Sequence, residues 1–253
     1  MDIQSNWITG FVDGDGCFFI QKTQSTIRHR FIISQDKRSV DTLYALKKKF
    51  KCGSVHKAGK NMMAFEVSSK KSLETLIIPF FKKYPLQTEK RKDFYKFVES
   101  ITGCNDFYDT QNENFTFSIN DEWLAGFIDA EGCFEVSIVN NYPRPQLLIS
   151  APEKEKALLF FLQNYLGCGT IRVRKDKFLL LKVTSSRDFI TKIFPKLYTK
   201  TGRNLLKSIK RVFFQKFRKI VLLIEKKQHF TFLGMEKILK LKLDMKKVVS
   251  VVD

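Results

Sequence analysis

Apolar residues along the chain recur at two spacings, one typical of helices and the other of strands. A spacing near 3.6 residues predicts amphipathic helices at VDTLYALKKKF (40–50) and EKALLFFLQNYL (155–166). Alternating apolar and polar residues predict half-buried strands at RHRFIIS (28–34), CFEVSIV (133–139) and RPQLLIS (144–150). Shorter strands are predicted at GSVHK, AFEVSS, GTIRVR and FLLLKVT. With a helix in front, the order is helix, strand, strand, helix, strand, strand, helix, and it occurs twice.

An internal repeat explains this doubling. WITGFVDGDGCF (7–18) and WLAGFIDAEGCF (123–134) superpose at an offset of 116 residues, and positions downstream stay in this register. The pairs include Ile33 with Ile149, Leu43 with Leu159, Cys52 with Cys168, and Pro79 with Pro195. Beyond the prolines the offset becomes 120, which pairs Leu86 with Leu206, Lys90 with Lys210, and Phe97 with Phe217. The two halves are therefore predicted to share one fold.

The repeat predicts an α+β protein built from two pseudo-symmetric αββαββα halves. Each half is expected to form an antiparallel sheet with helices over one face, leaving the other face open, polar and basic. We predict the first repeat at 1–102 and the second at 119–253, extended by a basic terminal helix around GMEKILKLKLDMKK. The segment 103–118 is rich in Asn, Asp and Gly and lacks periodicity, which predicts a linker.

The charge of the chain is strongly unbalanced, with 45 Lys and Arg against 26 Asp and Glu and a formal net charge of +19. Such a surface attracts polyanions, and nucleic acid is favoured because neutralising its phosphates releases counterions. An anionic membrane is the alternative, but no long basic amphipathic helix dominates, and no apolar run approaches the ~18 residues of a membrane span. The N-terminal MDIQSNW has neither a secretion signal nor the look of a transit peptide, so we expect the protein to work where it is made.

The cysteines and histidines suggest no site of their own. Five cysteines, an odd number without a CxxC pair, predict neither a zinc site nor a closed disulfide set. We expect reduced thiols in the core at Cys17, Cys52, Cys104, Cys133 and Cys168. The three histidines have no partners in the repeat, which argues against a His general base.

The repeated motif predicts two closely packed helices that end in carboxylates. Each helix has small residues four positions apart on one face, which leaves a strip almost without side chains: Gly10 and Gly14 in one, Gly126 and Ala130 in the other. Packing of the two strips about a pseudo-twofold axis would bring Asp15 and Glu131 together at the helix ends. The glycines that follow, Gly16 and Gly132, are expected to end the helices in the left-handed conformation.

Two carboxylates at the negative ends of two helices repel one another and so favour a site for divalent cations. Oxygen ligands suit Mg²⁺, which completes its shell with water and substrate phosphate and would activate water for phosphodiester hydrolysis. The predicted metal-binding set is Asp15, Glu131, Gly14 and Ala130. One motif alone is equally compatible with a capped helix whose acid is merely solvated, whereas two copies in register on a basic chain favour the metal site.

The two motifs resemble the motif of a known protein family. ITGFVDGDG and LAGFIDAEG resemble the motif of the LAGLIDADG homing endonucleases, in the single-chain form with two motifs. The resemblance runs from Trp7 to about Lys247, and the terminal HFTFLGMEKI is similar to the ending of monomeric enzymes encoded in fungal mitochondrial introns. It implies a DNA-binding saddle of two antiparallel sheets along the major groove, with the motif helices packed between the repeats. It also implies a mitochondrial monomer that cuts both strands across the minor groove and leaves short 3′ extensions.

The resemblance assigns roles to individual residues. Asp15 and Glu131 match the acids that share the metal ions, with Mg²⁺ as cofactor, Mn²⁺ as a substitute, and Ca²⁺ bound without efficient cleavage. Gln35 matches a position that orders water near the metals, whereas its repeat partner is Ala151, so the two half-sites are expected to be chemically unequal. Two lysines match a family lysine that lies after the fourth strand, and the alternative for each is a charge on a helix surface: Lys90 and Lys210.

Side chains on the open faces of the sheets are predicted to read DNA, because Arg and Gln form bidentate pairs with base edges in the major groove. The candidates in the first half are Gln21, Thr23, Arg28, Arg30, Ser34, His56 and Lys57. In the second half they are Glu135, Ser137, Asn140, Arg144, Gln146, Arg172 and Arg174. For each, the alternative is a solvated side chain or a phosphate contact. Because each half follows about one helical turn and the halves differ, we expect a site roughly two turns long and asymmetric.

Two other functions compete with DNA cleavage. RNA binding as an intron maturase needs the basic surface but not the two acids. A DNA-binding module without catalysis would predict a damaged motif, and neither motif is visibly damaged. The intact acids therefore favour cleavage, although one protein could fill both the nuclease and the maturase role.

Overall fold

A computed structural model describes residues 3–103, 115–174 and 176–250, with the backbone alone for 246–250. Cys104 and residues 104–114 of the predicted linker lie outside the described residues. The chain divides into two compact units, Met1–Ala130 and Glu131–Asp253. The first unit extends past the predicted linker because the second motif helix packs against the first one.

The first unit contains a four-stranded antiparallel sheet with strand order β1-β2-β4-β3. Its elements are α1 (Ser5–Asp15), β1 (Gly16–Lys22), β2 (Ile27–Asp36), α2 (Val40–Phe50), β3 (Ser54–Lys57), β4 (Met62–Val67), α3 (Lys70–Ser72), α4 (Ile78–Lys83), α5 (Lys90–Thr102) and α6 (Asp121–Glu131). The last of these is the second motif helix, of which all but the final residue belongs to this unit.

The second unit repeats this sheet, with strand order β5-β6-β8-β7 and antiparallel pairing throughout. Its elements are β5 (Gly132–Val139), β6 (Tyr142–Pro152), α7 (Lys156–Leu166), β7 (Thr170–Val173), β8 (Phe178–Val183), α8 (Ser186–Asp188), α9 (Phe194–Lys196), α10 (Lys210–Glu225) and α11 (Phe232–Ser250). The predicted α+β fold and the predicted order of helices and strands are therefore confirmed in both halves.

A short helical segment after the fourth strand of each half was not predicted. In each half a π-helical turn, Leu73–Ile77 or Phe189–Ile193, lies between two short helices. A proline follows each turn, Pro79 at the start of α4 and Pro195 at the start of α9. The wider π turn and the proline interrupt the 3.6-residue period, which is why apolar spacing fails to detect a helix there.

One face of each sheet is covered by helices and forms the core. In the first unit Phe31 and Ile33 of β2 are fully buried, and Phe18 of β1 packs against rings from α4 and α5. In the second unit Leu147 and Ile149 are the equivalent residues of β6. The residues between them along each strand face the other side and are only partly buried, as the alternation predicted.

The chain leaves each motif helix without a left-handed residue, contrary to the prediction for Gly16 and Gly132. Gly16 has φ −74° and ψ 152°, the conformation of a strand, and Gly132 also lacks a positive φ. Each is the first residue of a strand, so the backbone passes straight from helix to sheet. A Cβ on Gly16 would lie 2.5 Å from Val12 Cγ1, so this position needs glycine for its small size.

The predicted terminal helix is present as α11, which packs against α10. Lys216 of α10 donates a hydrogen bond to the carbonyl of Asp244 at 2.8 Å. Across the described part of the chain, no helix combines the length and the apolar character needed to span a membrane.

The cysteines differ in part from the prediction. Among the described residues, all four cysteines are free, but Cys17 and Cys133 are exposed instead of buried in a core. Both lie on the uncovered side of their strands, because strand residues alternate between faces.

Candidate active site and nucleic-acid interface

The two motif helices, α1 and α6, are in direct backbone contact. A Cβ placed on Gly10 would lie 2.0 Å from the carbonyl oxygen of Trp123, and one on Gly126 would lie 2.0 Å from the carbonyl oxygen of Trp7. The two contacts are related by the 116-residue offset, so the helices cross about a local twofold axis. Only glycine allows so close an approach, so the predicted packing of the two helices is observed at Gly10 and Gly126.

Reciprocal hydrogen bonds join the same two helices. The indole N–H of Trp7 donates to Asp129 Oδ2 at 3.0 Å, and that of Trp123 donates to Asp13 Oδ2 at 2.8 Å. All four side chains are buried, with at most 4% of their surface exposed. Because buried charge-assisted hydrogen bonds are directional, these bonds constrain the rotation and sliding of one helix along the other.

Asp13 also connects α1 to the start of α5. Its carboxylate accepts hydrogen bonds from the backbone N–H of Gln87 and Thr88, each at 2.9 Å, and from the Thr88 hydroxyl at 2.7 Å. Burial raises the pKa of Asp13, and the hydrogen bonds from Thr88, Gln87 and Trp123 lower it in part. These bonds fix the chain just before Lys90, the first residue of α5.

Asp15 and Glu131 are the last residues of α1 and α6, as the sequence predicted. The side-chain amide of Gln35, on β2, donates a hydrogen bond to Asp15 Oδ2. Gln35 thus reaches the acid from the neighbouring sheet. At the equivalent position of the second half, Ala151 is buried and has no polar side chain to offer.

Lys90 lies at the same helix end as Asp15. Its ammonium donates hydrogen bonds to the carbonyl of Val12 at 2.9 Å and to that of Gly14 at 2.6 Å, so it neutralises the negative end of α1. Lys210 is the first residue of α10, as Lys90 is of α5. Partial desolvation raises the pKa of the Cys133 thiol, and the positive charge of Lys210 opposes this increase. Lys210 therefore lies near Cys133, two residues after Glu131.

The predicted metal ligands are hard oxygen donors. The carboxylate of Asp15 and the carbonyl of Gly14 lie together at the end of α1, and Ala130 and Glu131 occupy the same positions in α6. Across the described residues, no three His, Cys, Asp or Glu side chains are grouped as a metal site. Each motif helix therefore ends in one carboxylate, and oxygen donors of this kind suit Mg²⁺, which completes its shell with carbonyl oxygens, water or phosphate.

The uncovered face of the first sheet holds most of the predicted DNA-reading residues of that half. Gln21 and Arg28 are opposite each other in the β1–β2 pairing, and Arg30 and Ser34 share the face of Arg28. His56 of β3 lies on this face also, next to Glu66 of β4. An open depression of about 490 Å³ is lined in part by Gln21, Arg28 and Arg30.

The second sheet has an equivalent face. Glu135 is opposite Gln146, whose amide donates to Glu135 Oε2 at 3.1 Å, and Ser137 is opposite Arg144. Arg172 of β7 is exposed and opposite Leu180. A depression of about 700 Å³ is lined by Arg144, Gln146 and Lys182 of this sheet together with residues at the end of α10 and beyond, among them Ile224 and His229.

Four candidates do not lie where a strand position on the open face was predicted. Thr23 lies after β1 and closes a turn with Thr26, while Asn140 is in the β5–β6 turn with φ 50°. Arg174 follows β7 and pairs with Asp176 at 3.0 Å. Lys57 is on β3 but shares the face of Val55, because adjacent strand residues point to opposite sides. Chain alternation thus excludes His56 and Lys57 from facing the same groove.

Comparison with known proteins agrees with this geometry. A family model described as LAGLIDADG endonuclease matches residues 8–101 and 124–221, one range in each half. The chain belongs to the LAGLIDADG endonuclease family. Each matched range begins in a motif helix and covers the sheet that follows it, so the repeat found in the sequence is the repeat of the family.

Similar proteins of this family include a relative from Schizosaccharomyces pombe, described as an uncharacterized cox1 intron-2 protein. It is 26% identical over 248 residues, which cover 93% of this chain and 70% of the relative. Several other fungal relatives, described as probable intron-encoded endonucleases, are longer, and the chain covers less than half of each.

Two solved structures share the fold over nearly the whole chain. The LAGLIDADG homing endonuclease I-GzeII, in complex with its DNA target, has a TM-score of 0.82 at 26% identity, covering 95% of this chain and 97% of that one. I-SmaMI, bound to an uncleaved DNA target in the presence of calcium ions, has a TM-score of 0.83 at 24% identity, covering 97% and 99%.

Some residues of this LAGLIDADG endonuclease gain importance only from the structure. Asp13 and Asp129 occupy the same position in the two motifs, which could have marked them as important. Their burial and their hydrogen-bond partners are evident only in the structure. Glu66 was not predicted, although it lies in the middle of the open face of the first sheet. Its β4 segment alternates as predicted, so the position could have been included with Arg30 and Ser34.

Proposed function

We propose that this protein is a homing endonuclease that makes a double-strand break in a long, asymmetric DNA site by metal-dependent hydrolysis, leaving 3′ overhangs. The observation that carries the proposal is the reciprocal contact of Gly10 and Gly126, which packs two helices whose last residues are Asp15 and Glu131. Equivalent helices in equivalent contact supply one acid for each strand of a duplex.

The donor set fits divalent cations, with Mg²⁺ as the proposed cofactor, Mn²⁺ as a substitute, and Ca²⁺ bound without efficient cleavage. Asp15, Glu131 and the carbonyls of Gly14 and Ala130 would hold the ions. When bound, the ions would activate water and stabilise the leaving oxygen of the phosphodiester. The structure of I-SmaMI with an uncleaved DNA target in the presence of calcium ions supports the proposed role of Ca²⁺.

Two neighbouring side chains, Gln35 and Lys90, form hydrogen bonds at the end of α1 that carries Asp15. Gln35 donates to Asp15 Oδ2 and restrains the orientation of this carboxylate. Lys90 donates to Gly14 and Val12, and from there its ammonium can meet the negative charge of a phosphate brought to the helix end. Lys210 is proposed for the same task in the second half, where no amide corresponds to Gln35.

The open sheet faces are proposed to bind the duplex. Strand positions on these faces carry Arg28, Arg30, Arg144, Gln146 and Arg172, and Arg and Gln are side chains that can pair with base edges in the major groove. Their sequence differs between the halves, which supports an asymmetric target bound by one chain as a monomer. The fungal relatives described as encoded by introns support an origin in a mitochondrial intron for this chain also.

Selection of cleaved duplexes from a randomised library, with Mg²⁺ present, tests the proposal. We expect one asymmetric sequence about two helical turns long, cut on both strands. Asp15→Asn and Glu131→Gln should each lower the cleavage rate by more than about a hundredfold, since even the residues that support metal ligands are worth 10- to 100-fold. DNA affinity should survive in both variants.

The matched control is Glu122→Gln, which makes the same chemical change in the first turn of α6. It should cleave at the wild-type rate. Undiminished cutting by both acid variants, or recovery of no cleaved duplex by the wild type, would contradict the proposed active site.

A further inference from the structure

Glu66 is an acidic residue in the middle of a basic surface. It lies on β4, an inner strand of the first sheet, and pairs in register with Ile32 of β2 and Ser54 of β3. Its side chain is 19% exposed and faces the same side as Arg30 and His56. A carboxylate there repels the phosphates that the rest of the face attracts, so its presence needs a compensating role.

The carboxylate lies beside two of the side chains proposed to read bases. Glu66 Oε2 lies 3.8 Å from Arg30 Nη1 and 3.9 Å from His56 Nε2. On its other side, the Arg30 guanidinium lies 4.7 Å from the centre of the Phe19 ring, within the range of a cation–π interaction. Arg30 is therefore restrained between β1 and β4, and less conformational entropy is lost when it docks on a base.

The fold does not require an acid at this position. The repeat partner of Glu66 is Lys182, which pairs with Leu148 and Thr170 in the same register of the second sheet. The partner of Phe19 is Glu135, and that of Arg30 is Gln146. The two sheets thus have one scaffold but place their acid on different strands, which indicates that the choice of side chain serves recognition.

We propose that Glu66 is a specificity-determining residue that positions Arg30 to read one base pair of the DNA target. The inference rests on the proposed function, since it assumes that the open face contacts the major groove. A fixed guanidinium can pair bidentately with the O6 and N7 of guanine, whereas a mobile one reaches any nearby phosphate. The carboxylate thereby lowers the affinity for DNA of any sequence and increases the preference for one base pair.

The isosteric substitution Glu66→Gln has two expected effects of opposite sign. Discrimination at the base pair read by Arg30 should fall by roughly tenfold, within the range of one bidentate contact. Affinity for unrelated duplex DNA should rise, because one negative charge leaves the face and Arg30 becomes free to contact phosphate. A residue with only a structural role would produce neither a local loss of preference nor a gain in affinity.

The experiment is binding of the full chain to a randomised duplex library in EDTA, followed by sequencing, so that the readout does not depend on cleavage. Four proteins are compared: wild type, Glu66→Gln, Arg30→Ala, and the double variant. The charge-matched control is Asp41→Asn on the exposed side of α2, which packs behind the sheet. Thermal unfolding is measured for each protein.

We expect Glu66→Gln and Arg30→Ala to lose preference at the same base pair, and the double variant to lose little more, because the two residues act as one unit. Asp41→Asn should keep the wild-type preference. Glu66→Lys, which installs the residue of the second half, should lose the same preference and provides a second test if the glutamine variant is unstable.

An unchanged preference in Glu66→Gln, or an equal loss at every position of the site, would overturn the role of Glu66. Failure of the proposed function would look different, because the wild type would then select a sequence in EDTA but leave it uncut when Mg²⁺ is added.

Discussion

Replacing Gly10 by alanine tests how the contact between the motif helices supports the two acids. The added Cβ would lie 2.0 Å from the carbonyl oxygen of Trp123 and 3.0 Å from the backbone N of Phe127. Carbon and carbonyl oxygen rarely approach more closely than about 3.3 Å, so α1 and α6 must separate by about 1.3 Å at this point. The atoms in contact belong to backbone and cannot rotate away.

Two consequences of this separation can be estimated. Overpacking of a tight contact costs about 1–3 kcal/mol of unfolding free energy, which lowers the melting temperature of a chain of this size by roughly 2–4 °C per kcal/mol. The helix ends that carry Asp15 and Glu131 also move apart. Because a misplacement of about 1 Å can cost roughly a hundredfold in rate, cleavage should suffer far more than stability.

The assays are denaturant unfolding and single-turnover cleavage with saturating enzyme and Mg²⁺. Gly126→Ala should behave like Gly10→Ala, because its Cβ would meet the carbonyl of Trp7 at the same 2.0 Å. Gly59→Ala is the control, since the nearest atom to its Cβ would be Met62 Cβ at 3.6 Å, an ordinary contact. If Gly10→Ala were as stable and as active as Gly59→Ala, the reasoning from the helix contact would be refuted.

Two further predictions concern the residues beside Asp15. Lys90→Met removes the donor to the carbonyls of Val12 and Gly14. The single-turnover rate should fall roughly 10- to 100-fold, while DNA affinity changes little. An unchanged rate would show that Lys90 is only a charge on the helix surface. Gln35→Ala gives the first half the side chain of Ala151 and should slow the cut of one strand, so that nicked duplex accumulates on gels. Equal slowing of both cuts would contradict a role confined to one half-site.

Much of the fold follows from local sequence patterns. Strand patterns identify seven of the eight strands in the described residues, helical spacing identifies α2 and α7, and the internal repeat supplies β1 as the counterpart of β5. Local patterns fail where the helical period is interrupted, as at the π-helical turns Leu73–Ile77 and Phe189–Ile193. They also do not give the register between strands, which places Glu66 beside Ile32 and Ser54. Lys57 was predicted on the face of His56, although adjacent strand residues point to opposite sides.

The site could be predicted in part. The two acids were predicted because both copies of one motif end in a carboxylate, and the structure places them at the ends of α1 and α6, with the amide of Gln35 bonded to Asp15. Gly16 was predicted for the wrong reason, since this position requires the absence of a Cβ next to Val12 and not a positive φ. Asp13 could not be assigned from the motif, because its partners Gln87 and Thr88 are more than 70 residues away.

Residues in the contact between the two motif helices are the same in both halves, whereas residues on the open sheet faces differ. Trp7 and Trp123, Gly10 and Gly126, and Asp13 and Asp129 are identical pairs, and they form the contact between α1 and α6. A twofold contact is self-complementary, so a change on one helix leaves the other without its match. Residues on the open faces do not belong to this contact and are free to differ between the halves, as Glu66 and Lys182 do. Side chains on the sheet faces can therefore change one at a time while the symmetric contact between the two motif helices is kept.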